Sequence, residues 1–304
     1  MNNTPHTNCL TLRLLHAAKG YKAVAFDIFD TLLKRDCAHP ADLFALMEVT
    51  HQAALGFAGA RVAAEAETRQ TLGREVTLAE IYAHPALRGT DPAAECAAEL
   101  AMIAPNRPVA QAAAACHARG QKVYAVSDMY LPKEQIEAML QKCGLDFLDG
   151  VFVSCEYGVQ KRSGKLFKLF LQQTALRPAE VLFVGDSPRA DFAGAALAGI
   201  RCFLLPQPTP LPYTKTPADA VGGGAIATLQ NCCQNLNPSA ALGAELLGPL
   251  AVGFATWLHG QRAAIPGAKL VFLARDMYLV RQVYQLLYPE EETFYLKASR
   301  QSLL

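Results

Sequence analysis

Features that would assign the chain to a specialised class of protein are scarce in its 304 residues. Its nine cysteines include no CxxC pair, and their odd number and scattered spacing argue against a disulfide framework. Charged residues make up 18% and the formal net charge is +1, which gives no sign of a surface that binds nucleic acid. The N-terminus lacks the basic and apolar regions of a signal peptide. These absences predict a reduced, globular, cytoplasmic protein.

Long apolar runs are also missing. The most apolar helical stretch, Leu246 to Leu258, is shorter than a bilayer requires and contains Pro249. We therefore expect a core helix there and no transmembrane segment.

Short apolar strands alternate with helical segments over much of the chain. Because strands separated by helices are typical of parallel sheets with right-handed crossovers, the pattern predicts an α/β fold with a doubly wound, Rossmann-like sheet. The predicted strands lie at 22–27, 122–126, 150–154, 181–184 and 200–205.

Residues 40–104 interrupt this alternation with alanine-rich segments of helical period and no good strand. Such a block is too long for a loop, so we interpret it as a helical cap inserted into a core domain of residues 1–39 and 105–205. Residues 206–304 are expected to form a proline-rich linker and a C-terminal α/β region. That region could dock on the core, on another copy of the chain, or begin a longer protein.

Acidic, hydroxyl and basic residues follow four of the predicted strands. Asp27 ends the first strand, Ser127 follows the second, Lys161 comes after the third, and Asp186 and Asp191 follow the fourth. Each could simply cap the next helix. Together they suit phosphoryl transfer, in which a carboxylate attacks phosphorus, a hydroxyl and an ammonium hold the phosphoryl oxygens, and acidic residues hold Mg²⁺.

These residues resemble, in order, the four motifs of the haloacid dehalogenase superfamily. The first motif matches at Asp27 and Thr31, the second at Ser127, the third at Lys161, and the fourth at Gly185-Asp186 with Asp191. The resemblance implies that Asp27 is the nucleophile of an aspartyl-phosphate mechanism. It also implies that Ser127 and Lys161 hold the transferring phosphoryl group.

The same resemblance implies a Mg²⁺ site formed by the Asp27 carboxylate, the Phe29 backbone carbonyl and Asp186, with Asp191 assisting. The third motif lacks the proline that usually follows its lysine. Lys165 therefore competes with Lys161 for the phosphate-binding role, although Lys161 has the better spacing.

Phe29 is the main departure from the family pattern. Phosphatases of the superfamily carry a second aspartate there, and general acid–base help of this kind is worth roughly 10²–10⁴-fold in rate. Three alternatives follow: Asp30 or Asp128 substitutes, the enzyme is slow or uses good leaving groups, or the chemistry differs. Dehalogenases lack the Gly-Asp motif that this chain has. Phosphonate hydrolases use a cap lysine, and no lysine lies between Arg35 and Lys122.

Several segments resemble a branch of bacterial predicted hydrolases that accompany surface-polysaccharide glycosyltransferases. This likeness implies a small phosphorylated substrate such as a sugar phosphate. We also expect residues 206–304 to mediate a homo-oligomer or to bind a glycosyltransferase-related partner. The alternative is a weakly catalytic scaffold or regulatory module in polysaccharide biosynthesis. The segments are Phe26 to Leu32, Ser127 to Pro132, Ala274 to Leu279, and Ser299-Arg300.

Four arginines of the predicted cap are candidate substrate contacts, and for each of them a solvated helix face is the better-supported interpretation. They are Arg61, Arg69, Arg74 and Arg88.

Overall fold

A computed structural model describes residues 9–206, 217–234 and 236–297. The chain divides into two compact units, Met1–Asn235 and Leu236–Leu304. The division falls later than the predicted start of the C-terminal region at residue 206. Of the predicted linker, residues 207–216 lie outside the described residues.

The first unit begins with a helix, two strands and an insertion of four helices. Strands β2 and β3 pair antiparallel, with Arg35 opposite Ile103. They form a ribbon at the two ends of the predicted cap. The sequence analysis expected no good strand within residues 40–104 and missed this ribbon, because the pairing joins segments about 70 residues apart. In chain order the elements are α1 (Cys9–Ala17), β1 (Ala23–Phe26), β2 (Leu33–Arg35), α2 (Asp42–Val49), α3 (Phe57–Leu72), α4 (Leu78–Tyr82), α5 (Pro92–Ala101) and β3 (Ile103–Pro105).

Helices and strands alternate regularly in the rest of the first unit. The elements are α6 (Arg107–Ala118), β4 (Lys122–Ser127), α7 (Lys133–Lys142), β5 (Gly150–Val153), α8 (Ser154–Tyr157), α9 (Lys165–Thr174), β6 (Val181–Gly185), α10 (Gly194–Leu197), β7 (Arg201–Leu204) and α11 (Pro217–Cys233). A single helical turn at Lys161–Ser163 precedes α9, and a wider, π-type turn at Pro188–Ala193 precedes α10.

Five of these strands form one parallel sheet in the order β5-β4-β1-β6-β7. The order reverses direction beside β1, so the sheet is doubly wound and the predicted α/β fold class is confirmed. All four residues of β1 are buried, as expected for a strand covered by helices on both faces. The carboxyl ends of β1, β4 and β6 therefore meet at one edge of the sheet.

Helix α11, the last helix of the first unit, packs beside α2 and β2. Its glycines make this close approach achievable, because a Cβ atom at Gly223 would lie 2.9 Å from the Cβ atom of Ala38. The Asn231 side chain donates to the backbone oxygen of Arg35 and to Asp36. The Gly-rich segment is thus a packed helix.

The second unit contains one strand–helix–strand motif preceded by a long helical run. Strands β8 (Leu270–Leu273) and β9 (Thr293–Leu296) pair in parallel. Its small core contains Ala255, Phe272 and Tyr284. Ser299 and Arg300 lie outside the described residues. The helices are α12 (Pro238–Leu242), α13 (Gly248–Ala263) and α14 (Tyr278–Leu287).

The expectation of a short core helix near Leu246 is wrong. α12 and α13 belong to a helical run of 26 residues, Pro238–Ala263, whose most apolar 18-residue window has a mean hydropathy of 1.4 and is only 11% buried. By length and composition this run is long and apolar enough to cross a membrane. Sequence inspection underestimated the run because Pro249 lies in the first turn of α13, where proline does not break a helix.

Candidate active site

The predicted nucleophile lies at the ligand-binding edge of the sheet. Phe26 pairs with Ala125 on one side and with Val184 on the other, so Asp27 is the first residue beyond the end of β1. Ser127 ends β4 and is buried. Because β1, β4 and β6 run parallel and in register, the structure places these residues and the segment after Gly185 at the same edge.

Lys161 joins this group through two short ionic contacts. Its Nζ atom lies 2.6 Å from Oδ1 of Asp27 and 2.6 Å from Oδ1 of Asp191, and the lysine side chain is only 4% exposed. Burial works against the charged ammonium, but the Asp27 and Asp191 carboxylates raise the pKa of Lys161 above its ordinary value. The lysine therefore stays cationic and bridges the end of β1 to the loop after β6.

The loop after β6 holds Asp191 in place. Its Oδ2 atom accepts hydrogen bonds from the backbone N–H groups of Asp186 (3.0 Å) and Ser187 (2.9 Å). A Cβ atom at position 185 would lie 2.4 Å from that same oxygen. Gly185 is therefore needed because the Asp191 carboxylate lies directly against its Cα atom.

Three carboxylates at this edge could hold a metal ion. Oxygen atoms of Asp27, Asp186 and Asp191 lie within 4.8 Å of one another. Among the described residues, the buried Oδ1 atom of Asp191 has the ionic contact with Lys161 Nζ but no partner with hydrogen-bond geometry. Hard carboxylate oxygens are the ligands that Mg²⁺ prefers. The residues present therefore fit a divalent cation such as Mg²⁺.

The ionisation of Asp27 depends on its burial and on the charged groups around it. Burial raises the pKa of Asp27 to about 7, the Lys161 ammonium opposes the rise, and the Asp191 and Asp186 carboxylates add to it. Three carboxylates share this one lysine, so acidic groups outnumber basic ones in the cluster. A bound divalent cation would supply the missing positive charge and favour the ionised, nucleophilic form of Asp27.

The side chain of Phe29 cannot take part in proton transfer. Its side chain is buried, and its ring lies 3.9 Å from the guanidinium carbon of Arg35. That its backbone carbonyl binds the metal stays a prediction. Nearby, the fully buried hydroxyl of Thr31 has no hydrogen-bond partner within the described chain.

The structure separates the candidates that the sequence left open. Lys165 is exposed, whereas Lys161 contacts the Asp27 carboxylate. Asp30 is about half exposed and lies 3.5 Å from the Lys34 ammonium. Asp128 accepts a 2.8 Å hydrogen bond from the backbone N–H of Lys161, and burial raises the pKa of its carboxyl group. Lys161 and Asp128 are thus the members of each pair that lie at the cluster.

The interpretation of the cap arginines as solvated is wrong for Arg61. Its side chain is completely buried and makes two hydrogen bonds to Glu95, at 2.6 and 2.8 Å, and one to Glu65. Arg69 pairs with Glu65 and Glu75, and Arg74 pairs with Glu80. These three arginines stabilise the insertion itself, and Arg88 is exposed.

Sequence reasoning missed Glu75 and Gln160, which join the insertion to the core. Glu75 is buried, contacts Arg69 at 2.6 Å and accepts a 2.7 Å hydrogen bond from the Gln160 side chain. Gln160 immediately precedes Lys161, so this contact lies one residue from the site. No spacing signal links positions 85 residues apart, and only the fold brings them together.

Comparison with known proteins supports this assignment of the fold. The family model for haloacid dehalogenase-like hydrolases matches residues 21–199. A haloacid dehalogenase-like hydrolase domain-containing protein 3 from Bos taurus is 32% identical over 97 residues, covering 32% of this chain and 38% of the relative. A phosphoserine phosphatase from Thermus thermophilus is 41% identical over 51 residues, covering 17% and 20%. The matched segments therefore span less than half of these curated relatives.

Solved structures match the chain at lower sequence identity. A HAD phosphatase from Thermococcus onnurineus has a TM-score of 0.45 and 21% identity, and the match covers 61% of this chain and 86% of that one. A HAD-hydrolase from Bacillus subtilis bound to magnesium has a TM-score of 0.44 and 20% identity, with 60% and 88% covered. The family model matches more than half of the chain, and the protein belongs to the haloacid dehalogenase-like hydrolases.

Proposed function

We propose that the protein is a Mg²⁺-dependent phosphohydrolase that acts through an aspartyl-phosphate on Asp27. The observation that carries this proposal is the buried contact of Lys161 with both Asp27 and Asp191, beside Asp186. A nucleophilic carboxylate, a fixed cation and additional carboxylates for a metal are the groups that phosphoryl transfer requires. The phosphatase relative from Thermus thermophilus adds support.

The residues of the chain have separate tasks in this mechanism. Asp27 attacks phosphorus and the ester oxygen leaves, and water then hydrolyses the aspartyl-phosphate to release phosphate and regenerate Asp27. Ser127 and Lys161 hold the phosphoryl oxygens. Asp27, the Phe29 carbonyl, Asp186 and Asp191 would hold Mg²⁺, which neutralises charge on the transferring group when bound.

We propose Asp128 as the group that replaces the missing general acid. Burial raises the pKa of its carboxyl group, and its hydrogen bond with the backbone N–H of Lys161 places it at the cluster. Asp128→Asn should slow hydrolysis of alkyl phosphates by about 10²-fold or more and aryl phosphates with good leaving groups much less. Equal losses for both substrates would contradict this role, and Asp30→Asn is the matched comparison.

Phosphate release is the direct test of the proposed function. A panel of sugar, nucleotide and lipid-precursor monophosphates should reveal release that requires Mg²⁺ and disappears in Asp27→Asn. The exposed residue Asp146 provides a control, since Asp146→Asn should retain full activity. Release that persists in Asp27→Asn would exclude Asp27 as the nucleophile.

Phe29 favours a second candidate function, a scaffold or regulatory module in polysaccharide biosynthesis. A ring packed under Arg35 cannot transfer a proton. This candidate predicts Mg²⁺ and phosphate binding with turnover near background for every compound in the panel. Efficient hydrolysis of one physiological phosphate would exclude it.

The substrate class and cellular setting are also proposals. We favour a sugar phosphate and a partner related to glycosyltransferases, bound through residues 206–304, because the local sequences resemble that branch of the family. A cytoplasmic setting is supported by nine cysteines that are all free thiols.

A further inference from the structure

The side chain at the position of the missing general acid has a specific neighbour. The ring of Phe29 is about nine-tenths buried, and the guanidinium carbon of Arg35 lies 3.9 Å from its centre. A cation at this distance from a ring face is attracted by its electron density, most strongly where water is excluded. The guanidinium group of Arg35 therefore packs against the ring of Phe29.

Arg35 is held from its other side by a residue of the insertion. Its Nε and Nη2 atoms donate to the two carboxylate oxygens of Glu99, at 3.0 and 3.1 Å. The side chains are only 10% and 2% exposed. Burial opposes the charged form of Arg35, but Glu99 raises its pKa above the ordinary value. A two-point ion pair of this kind fixes the orientation of both partners.

These three side chains connect the nucleophile loop to the base of the insertion. Phe29 is two residues beyond Asp27, Arg35 ends β2, and Glu99 lies in the last turns of α5, just before β3. The backbone of Asp36 donates to Met102 (2.8 Å), so the chain entering the insertion is also tied to the chain leaving it. The stack of Phe29, Arg35 and Glu99 lies where these two chain segments meet.

We propose that Phe29 is a positioning residue, whose ring seats the Arg35–Glu99 ion pair and thereby fixes the insertion relative to Asp27. An aspartate at position 29 would meet the Arg35 guanidinium. It would compete with Glu99 for that guanidinium and disturb the two-point ion pair. Phenylalanine at this position thus stabilises the contact between the insertion and the nucleophile loop, which we call the hinge. Another group must transfer the proton.

Hydrogen exchange tests this hinge without relying on the proposed function. Phe29→Leu should accelerate exchange of the Asp36 amide by roughly tenfold or more, while β4 amides keep their protection. The matched control is Phe203→Leu, which removes a ring from beside Arg13 in another part of the sheet and should leave Asp36 unchanged. Unchanged exchange in Phe29→Leu would overturn the proposal.

Glu99→Gln provides a second, nearly isosteric variant in case Phe29→Leu fails to fold. It should accelerate Asp36 exchange as well, and the double variant should exceed the larger single effect by less than about twofold, because both changes release one hinge. Fully multiplicative effects in the double variant would contradict a shared stack.

The turnover test rests on the proposed phosphohydrolase function. Phe29→Asp should lower turnover of an alkyl phosphate about as much as Phe29→Leu does, because both variants remove the ring that seats Arg35. A rise of roughly tenfold or more would show that position 29 merely lacks its acid, and would overturn the proposal. If no protein in the series releases phosphate, the proposed function fails, and the exchange result still decides whether the hinge exists.

Discussion

Two groups of buried charged side chains lie in the first compact unit, and their charges are balanced differently. In the insertion, Arg61 is enclosed by Glu95, Glu65 and the hydroxyl of Tyr82, which donates to Glu95 at 2.9 Å. At the sheet edge, Lys161 faces the carboxylates of Asp27 and Asp191, with Asp186 beside them. In the first cluster, Arg61 has hydrogen-bonded carboxylate partners within the cluster. Within the described part of the chain, the second cluster has three carboxylates and only one cation.

From this difference we expect the Arg61 cluster to stabilise the fold and the sheet-edge cluster to bind a cation. A buried ion pair with every group hydrogen-bonded needs nothing from outside the protein. A set of three carboxylates with one cation favours binding of a further positive charge. Burial is the main reason that the pKa of Asp27 is raised to about 7, and the Asp191 and Asp186 carboxylates add to the rise. Mg²⁺ should therefore act on the sheet-edge cluster and leave the Arg61 cluster unaffected.

The largest effect is expected when the sheet-edge cluster loses its lysine. Lys161→Met should abolish turnover and lower the free energy of unfolding in the absence of metal by about 3–5 kcal/mol, because buried carboxylates lose their partner. The exposed Lys165 is the matched control, and Lys165→Met should change stability by less than about 0.5 kcal/mol. Urea denaturation measures both, and equal effects would show that Lys161 was wrongly placed at the site.

Breaking the balanced cluster should have a large effect of a different kind. Glu95→Gln should lower the free energy of unfolding by about 3 kcal/mol, since Arg61 is left buried with a weaker partner. Adding Mg²⁺ should recover none of this loss. A thermal denaturation series in which Mg²⁺ restores the Glu95→Gln variant would contradict the separation of the two clusters.

The pH dependence of stability should report the unbalanced cluster. The pKa of Asp27 is raised from 3.8 to about 7 on folding, so between these values the folded protein binds the proton more tightly than the unfolded one. In the absence of metal, the Asp27 contribution should therefore make the free energy of unfolding fall as pH rises from about 4 to 7, by at most about 1.4 kcal/mol per pH unit.

Urea titrations at several pH values measure this slope. Asp27→Asn should remove its Asp27 component, and Asp146→Asn should retain it. Saturating Mg²⁺ should flatten the profile because the cation lowers the pKa of Asp27. An identical slope in Asp27→Asn would show that Asp27 is not protonated in this range.

The smallest effect on stability is expected at Asp191. In Asp191→Asn the amide oxygen can still accept the Asp186 and Ser187 N–H groups, and one negative charge leaves the cluster. The amide nitrogen would then face the Lys161 ammonium, so the metal-free variant should lose about 1–3 kcal/mol of its free energy of unfolding. Stabilisation by saturating Mg²⁺ should nevertheless fall, and a retained Mg²⁺ response would contradict the ligand assignment.

The sequence predicted the central sheet well because each strand carries its own signal. The apolar run at β1, and those at β4 and β6, lie between turn residues, and buried parallel strands need no partner to be recognised. The same runs end at Asp27, Ser127 and Gly185, so the predicted site residues could be placed at one edge before any coordinates were known.

The features that the sequence did not predict depend on partners far along the chain. The β2–β3 ribbon, the burial of Arg61 by Glu95 and the stack of Arg35 on Phe29 join segments whose local composition is unremarkable. Arg61 has the sequence context of a solvated helix residue, and only the approach of α5 removes it from water. The apolar run beginning at Pro238 was misjudged for a related reason, because apolar composition alone does not determine burial.

The most direct test of the central claim is capture of the phosphorylated nucleophile. The protein would be incubated with a reactive acyl phosphate, with and without Mg²⁺, quenched in acid and examined by peptide mass spectrometry. The account predicts a Mg²⁺-dependent phosphoryl group on Asp27 that is absent from Asp27→Asn. A phosphoryl group on another residue, or no adduct under conditions in which the protein hydrolyses phosphate esters, would contradict it.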